Sequence, residues 1–170
     1  MEHWKPYSPA ETQYYLKESN FDNDIAIMKL SQTIEFSNLV GPACLPYKFA
    51  TTDLTGKTVT LLGWGTKFPG GPTSNTLQKV NVQVMQQTAC QSQVKFLSNR
   101  QICNYTPGKD ACQDDSGGPM LYTDPATGLL FCVGIISNGQ NCALSPGINT
   151  RVTAMLDWID STTGVNHCRK

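Results

Sequence analysis

The sequence has no excess of charge of either sign: Lys plus Arg number 13 and Asp plus Glu number 13 among 170 residues. Such a balance builds no basic field, which argues against nucleic acid or an anionic membrane surface as a partner. Long apolar runs are absent too. The most apolar stretch, Leu129-Leu-Phe-Cys-Val-Gly-Ile-Ile136, is too short and too interrupted to span a bilayer. The opening residues, Met1-Glu-His-Trp-Lys-Pro6, hold no apolar signal-peptide region. Histidine occurs only at His3 and His167, at opposite ends, and no two cysteines stand in Cys-x-x-Cys spacing. Both facts argue against a zinc site, and no metal or cofactor is implied. There is no internal repeat or low-complexity tract.

Cysteine, by contrast, is abundant. Seven of them (Cys44, Cys90, Cys103, Cys112, Cys132, Cys142 and Cys168) fit an oxidising, extracellular compartment better than the cytosol. The odd number leaves at least one thiol without a partner inside the chain. A secreted-type sequence without a leader and with an orphan cysteine is expected to be a truncated one.

Periodicity points to short strands. Asp24-Ile-Ala-Ile-Met-Lys-Leu30 is apolar on both alternating faces except at Lys29, the pattern of a buried strand. Thr58 to Trp64 reads similarly, and Val80, Val82 and Val84 alternate with Asn81 and Gln83 as in a half-buried strand. Leu129 to Ser137 and Gly147 to Val152 complete the set. Clusters such as Phe68-Pro-Gly-Gly-Pro-Thr-Ser-Asn75 mark turns between them, and Pro46 to Lys57 is the most linker-like segment. Val152, Met155, Leu156 and Ile159 form one helical stripe near the C-terminus. Many strands and one terminal helix favour an all-β barrel or sandwich.

The most informative run is Asp110-Ala-Cys-Gln-Asp-Asp-Ser-Gly-Gly-Pro119. Serine is a poor nucleophile until a base takes its proton and backbone N–H groups receive the oxyanion that forms. Ser-Gly-Gly alone reads more readily as a surface turn. The ten-residue run as a whole resembles the active-serine segment of trypsin-like serine proteases. Asn23-Asp-Ile-Ala-Ile27, Gly41-Pro-Ala-Cys-Leu-Pro46, Leu62-Gly-Trp-Gly65, Ile136-Ser-Asn-Gly139 and Pro146-Gly-Ile-Asn-Thr-Arg-Val152 resemble further family segments in family order.

The resemblance implies an all-β, two-barrel fold with the first barrel incomplete and a C-terminal helix. Residues 1–47 would be the remnant of the first barrel, 48–57 a linker, 58–152 the second barrel, and 153–170 the helix and tail. It implies Ser116 as nucleophile and Asp24 as the carboxylate that orients a histidine. The backbone N–H groups of Asp114 and Ser116 would form the oxyanion hole. Asp110, Gly139 and Gly147 would form a specificity pocket for Arg or Lys, and Ser137 would support Asp24. Asp115 would pair with an ammonium freed by proteolytic activation. Cys90 with Cys103 and Cys112 with Cys142 match family bridges, and Cys44 would hold an upstream segment; Cys132 and Cys168 lie outside the family set and could pair with each other, a connectivity that sequence does not fix. Asn104-Tyr-Thr is an N-glycosylation acceptor pattern.

Three features depart from the family. No histidine stands in an Ala-Ala-His-Cys-like context upstream of Asp24; His3 and His167 read as ordinary surface groups. No Ile-Val-Gly-Gly-like terminus is present to meet Asp115. Asp114 occupies the place of a glycine, which puts a side chain and a negative charge beside the oxyanion. The expected function is thus part of a secreted endopeptidase acting on protein or peptide substrates after Arg or Lys, inactive as this chain alone. A non-catalytic homologue acting as a binding or regulatory cofactor is the alternative. A small disulfide-rich structural module accounts for the cysteines but not for the ordered motifs.

Overall fold

The computed structural model describes residues 12–16, 21–165 and 167. Strands β1 (Thr12–Leu16) and β2 (Ile25–Lys29) form an antiparallel pair, with Thr12 opposite Lys29 and Leu16 opposite Ile25. Six further strands make one antiparallel sheet: β3 (Thr58–Gly63), β4 (Gln78–Gln83), β5 (Gln101–Asn104), β6 (Pro119–Thr123), β7 (Leu130–Asn138) and β8 (Gly147–Arg151). Their order is β4-β3-β6-β7-β8-β5. The outer strands β4 and β5 then meet. Val84 bridges Asn104, Met85 N–H donates to the Cys103 carbonyl at 2.8 Å, and Tyr105 N–H donates to Gln83 at 3.0 Å. The sheet curls into a barrel and its edges are covered.

Alternation decides what fills it. Val59 and Leu61 of β3, Val82 of β4, Ile102 of β5, Met120 of β6 and Phe131 and Val133 of β7 share one core. Asn81 and Gln83 face solvent between the buried valines. The stretch read as a linker contributes to the core as well. Its 3-10 turn Tyr47–Phe49 inserts Phe49, whose ring meets Tyr122 and Phe131 edge-on at 5.2 and 4.9 Å, and Leu54 is buried behind it. Burying one such phenylalanine is worth about 2–3 kcal/mol.

Strand β7 has two apolar faces. Phe131 and Val133 point into the barrel, while Cys132 and Ile135 pack against Ile25, Val152, Met155, Leu156 and Ile159. The whole predicted C-terminal stripe is therefore buried. Its first turn is 3-10, Val152–Met155, and the α-helix proper, α2, is Leu156–Thr163. Gly164, at φ +63°, ends it by returning its N–H to Asp160. A short helix α1 (Gln87–Gln91) carries Cys90, which is bonded to Cys103 in a cluster with Leu97 and Ile148. Closing a loop of that length is worth about 3 kcal/mol in the chain-entropy picture.

One expectation is corrected. β2 is not buried on both faces: Ile25 is covered, but Met28 is 63% exposed and Ala26 and Lys29 are exposed too. Among the described residues only β1 pairs with it.

Candidate active site

Ser116 stands in the loop between Asp110 and β6, and Asp115 fixes that loop from behind. Its Oδ1 accepts the Gly65 N–H at 2.7 Å and its Oδ2 accepts the Cys112 N–H at 2.9 Å. Two glycines make room for this carboxylate. A Cβ on Gly63 would overlap Asp115 Oδ1 and stand 2.8 Å from its Cγ; one on Gly65 would stand 2.6 Å from Cγ and collide with the Gln113 carbonyl. The Gly-Trp-Gly run reads in sequence as a mere turn. Its second meaning, a bare wall against a carboxylate fifty residues away, has no local signal.

On the other side of Ser116, Oγ donates to the Ser137 carbonyl at 3.3 Å, and Ser137 Oγ donates to Asp24 Oδ2 at 2.7 Å. Ser137, on β7, thus touches both Ser116 and Asp24. Asp24 stands at the head of β2 and is held by its neighbours. Thr150 Oγ1 donates to its carbonyl at 2.6 Å, and Gln101 Nε2 donates to the Phe21 carbonyl at 3.2 Å. The Asp22 carboxylate takes the Arg100 guanidinium and the Ser98 hydroxyl, and the guanidinium holds its pKa below the usual carboxylate range. Asp24 itself is exposed, with Ser137 as its hydroxyl partner.

The backbone around Ser116 divides into engaged and open donors. Asp115 N–H donates to the Cys112 carbonyl at 3.2 Å and Gly117 N–H to the Ile136 carbonyl at 2.8 Å. The N–H groups of Asp114 and Ser116 have no acceptor among the described residues. Asp114 is exposed at φ +70°, the left-handed region that its sequence position demanded and that aspartate tolerates better than most residues. Two open donors beside a serine hydroxyl suit a developing oxyanion.

A cavity of about 260 Å³ opens beside Ser116, lined by Asp110, Ser137, Asn138, Gly139, Gly147 and Asn149 among others. The Cys112–Cys142 bridge stands at its rim. A Cβ on Gly139 would meet only ordinary contacts at 3.8 Å, so its bareness adds room; a Cβ on Gly147 would lie 2.8 Å from both Asn104 Oδ1 and Asp110 Oδ1. Burial pushes the Asp110 carboxyl above its ordinary range, against hydrogen bonds from Asn104, Ala143 and Ala111 that pull it down. A second cavity, about 340 Å³, lies behind, between Asp115, Gly63, Gly65 and the Phe68 loop.

Asn104 is corrected. It is 1% exposed, with Nδ2 on Asp110 Oδ1 at 2.9 Å and Oδ1 receiving Asn149 Nδ2 at 2.8 Å. A glycan on that amide is incompatible with the packing, and Thr106 of the same tripeptide accepts the Gln83 N–H at 2.9 Å. Cys44 and Cys132 have no disulfide partner among the described residues. Cys44 pairs in parallel with Phe131, the neighbour of Cys132, so the two thiols take opposite faces: Cys44 packs on the barrel core and Cys132 on the helix cluster. Burial pushes the Cys132 thiol up to about 11. Cys168, its expected partner, lies outside the described residues, as does His3. His167 is half-buried beyond α2, with Nε2 3.0 Å from Thr163 Oγ1.

A serine hydroxyl, two open N–H donors, an adjoining carboxylate and an acid-floored cavity are the parts of an acyl-transfer site. Residues 5–159 match the trypsin family model. A venom serine protease of Polistes dominula is 38% identical over 169 residues, 97% of this chain and 61% of that protein. Venom serine protease 34 of Apis mellifera is 43% identical over 141 residues, covering 83% and 35%. Trypsin-1 of Astacus astacus is 40% identical over 144 residues, covering 81% and 59%. The chain belongs to the trypsin family of serine proteases. It spans between about a third and three fifths of the length of these relatives.

Proposed function

We propose that the chain carries the nucleophile and specificity pocket of an extracellular serine endopeptidase that cleaves after Lys or Arg. The observation that supports this most is the continuous link from Ser116 through Ser137 to Asp24, set beside the open N–H groups of Asp114 and Ser116. Ser116 Oγ attacks the scissile carbonyl, and those two N–H groups take the oxyanion. The tetrahedral adduct expels the amine and leaves an acyl-Ser116 ester, which water hydrolyses. Asp24 orients and stabilises the imidazole that shuttles the proton. Neither His3 nor His167 stands in an Ala-Ala-His-Cys-like context, so we assign that imidazole to neither of them. Without it the chain lacks the base its serine needs.

Asp110 would receive the Lys or Arg side chain, since a half-buried carboxylate at the cavity wall is favoured by a cationic partner. Asp115 and the cavity behind it would receive an ammonium created by activating cleavage. Cys44, half-buried and without a disulfide partner among the described residues, would bond an upstream segment. Secretion is supported by the two disulfides. One observation favours a second reading, a non-catalytic homologue: Asp114 puts a carboxylate next to the two open donors. Cleavage of a peptide library by the activated full-length protein tests the choice. Cuts after Lys or Arg, lost in both Ser116→Ala and Asp110→Ser, are expected. Cuts after aromatic residues that survive Asp110→Ser, or none at all, would refute the endopeptidase reading.

A further inference from the structure

We propose that Asn104, oriented by Asn149, is a specificity-positioning residue whose amide, with the Ala111 N–H, saturates one oxygen of Asp110, so that the cavity takes a lysine ammonium in preference to an arginine guanidinium. The inference rests on the reading of Asp110 as the acceptor of the substrate cation.

The register of the barrel brings the two amides together. Asn104 on β5 lies opposite Gly147 on β8, and Ile102 lies opposite Asn149. Residues 102 and 104 share a face of β5, so Asn149 is a diagonal neighbour of Asn104 on that face. Both asparagines are at most 2% exposed. Asn149 Nδ2 donates to the Ile102 carbonyl at 3.1 Å and to Asn104 Oδ1 at 2.8 Å; Asn104 Nδ2 donates to Asp110 Oδ1 at 2.9 Å. The ends of this relay, a carbonyl and a carboxylate, can only accept, so both amides are oriented one way. Gly147 is bare where a Cβ would press into the Asn104–Asp110 contact.

The relay sets what Asp110 has left to offer. Oδ1 takes Asn104 Nδ2 and the Ala111 N–H, both at 2.9 Å; among the described residues Oδ2 takes only the Ala143 N–H, at 3.3 Å. A carboxylate oxygen accepts about two hydrogen bonds, so Oδ1 is filled and Oδ2 has one vacancy. A guanidinium gains its advantage from two parallel N–H bonds to two oxygens, whereas an ammonium is a compact point charge that one oxygen can serve. Asn104 therefore removes the fork site and keeps the point-charge site.

The test is a chemical-shift titration of the full-length protein with n-propylguanidinium and n-butylammonium, the heads of the two side chains. Wild type is expected to bind the ammonium at least as tightly as the guanidinium. Asn104→Ala, which frees Oδ1, is expected to shift the ratio about tenfold toward the guanidinium, the size of one charge-assisted hydrogen bond. A tenfold guanidinium preference in wild type, or a ratio unchanged by Asn104→Ala, would overturn the inference while leaving Asp110 as the cation site. If neither cation binds, the Asp110 reading falls and the inference with it. Should Asn104→Ala not fold, the wild-type ratio decides alone.

Discussion

Replacing Gly63 by alanine adds one methyl group and should cost far more than a methyl group. The new Cβ would overlap the Asp115 carboxylate, which would have to swing away from the Gly65 and Cys112 N–H groups. Hydrogen bonds to a charged group contribute about 1.5–3 kcal/mol each. Asp115 is only half-buried, so water would make up part of the loss. Alanine also restricts the unfolded chain, a gain of about 0.4–1 kcal/mol. The net destabilisation is then about 2–4 kcal/mol, or roughly 5–12 °C in Tm for a domain of this size. Circular dichroism melting of wild type, Gly63→Ala, Asp115→Ala and the double variant measures it. The double variant should melt near Asp115→Ala, because the clash is with that side chain alone. Gly65→Ala also meets the Gln113 carbonyl and should not be rescued by Asp115→Ala. A Gly63→Ala melting point within about 2 °C of wild type would refute this account of the serine loop.

Changing Asp110 to Asn should leave stability at neutral pH equal or higher, since a carboxyl whose folded pKa is raised opposes folding once ionised; melting at pH 7 checks this, and a clear loss would contradict it. Asp124 behaves in the opposite sense. Lys48 holds its pKa down to about 2 from 3.8, so its contribution is complete above about pH 4 and fades as pH falls toward 2. Asp124→Asn should flatten the fall of Tm between pH 4 and 2, and an unchanged slope would argue against the Lys48 pairing. Asp114→Gly, in activated full-length protein, should raise turnover about tenfold by removing charge beside the oxyanion, a fraction of what losing one oxyanion donor costs. Equal or lower turnover would show that the site already accommodates the aspartate.

The barrel was legible where alternation or motif carried it. Val80, Val82 and Val84 announced β4, and the stripe from Val152 to Ile159 announced the terminal helix. β5 was not: Gln101-Ile-Cys-Asn104 is four residues long, and its polar ends are buried by pairing that local sequence does not display. β6 was hidden because Pro119 closes the serine motif and also opens the strand. Phe49 and Leu54 sit in a stretch of turn residues, so their place in the core follows from the curl of the barrel, not from period. Among site residues, Asp110, Asp115 and Ser116 share one motif. Asn149 and Gly63 act across the fold, and Asn104 sits in a tripeptide that suggests a glycan while its amide faces a carboxylate.

The most direct test is reaction of the activated full-length protein with a fluorophosphonate, which phosphonylates a hydroxyl only when base and oxyanion donors are assembled around it. Mass spectrometry of the digested protein should show one adduct, on the peptide containing Ser116, absent from Ser116→Ala. No adduct, or an adduct that persists in Ser116→Ala, would contradict the assignment of Ser116 as the nucleophile.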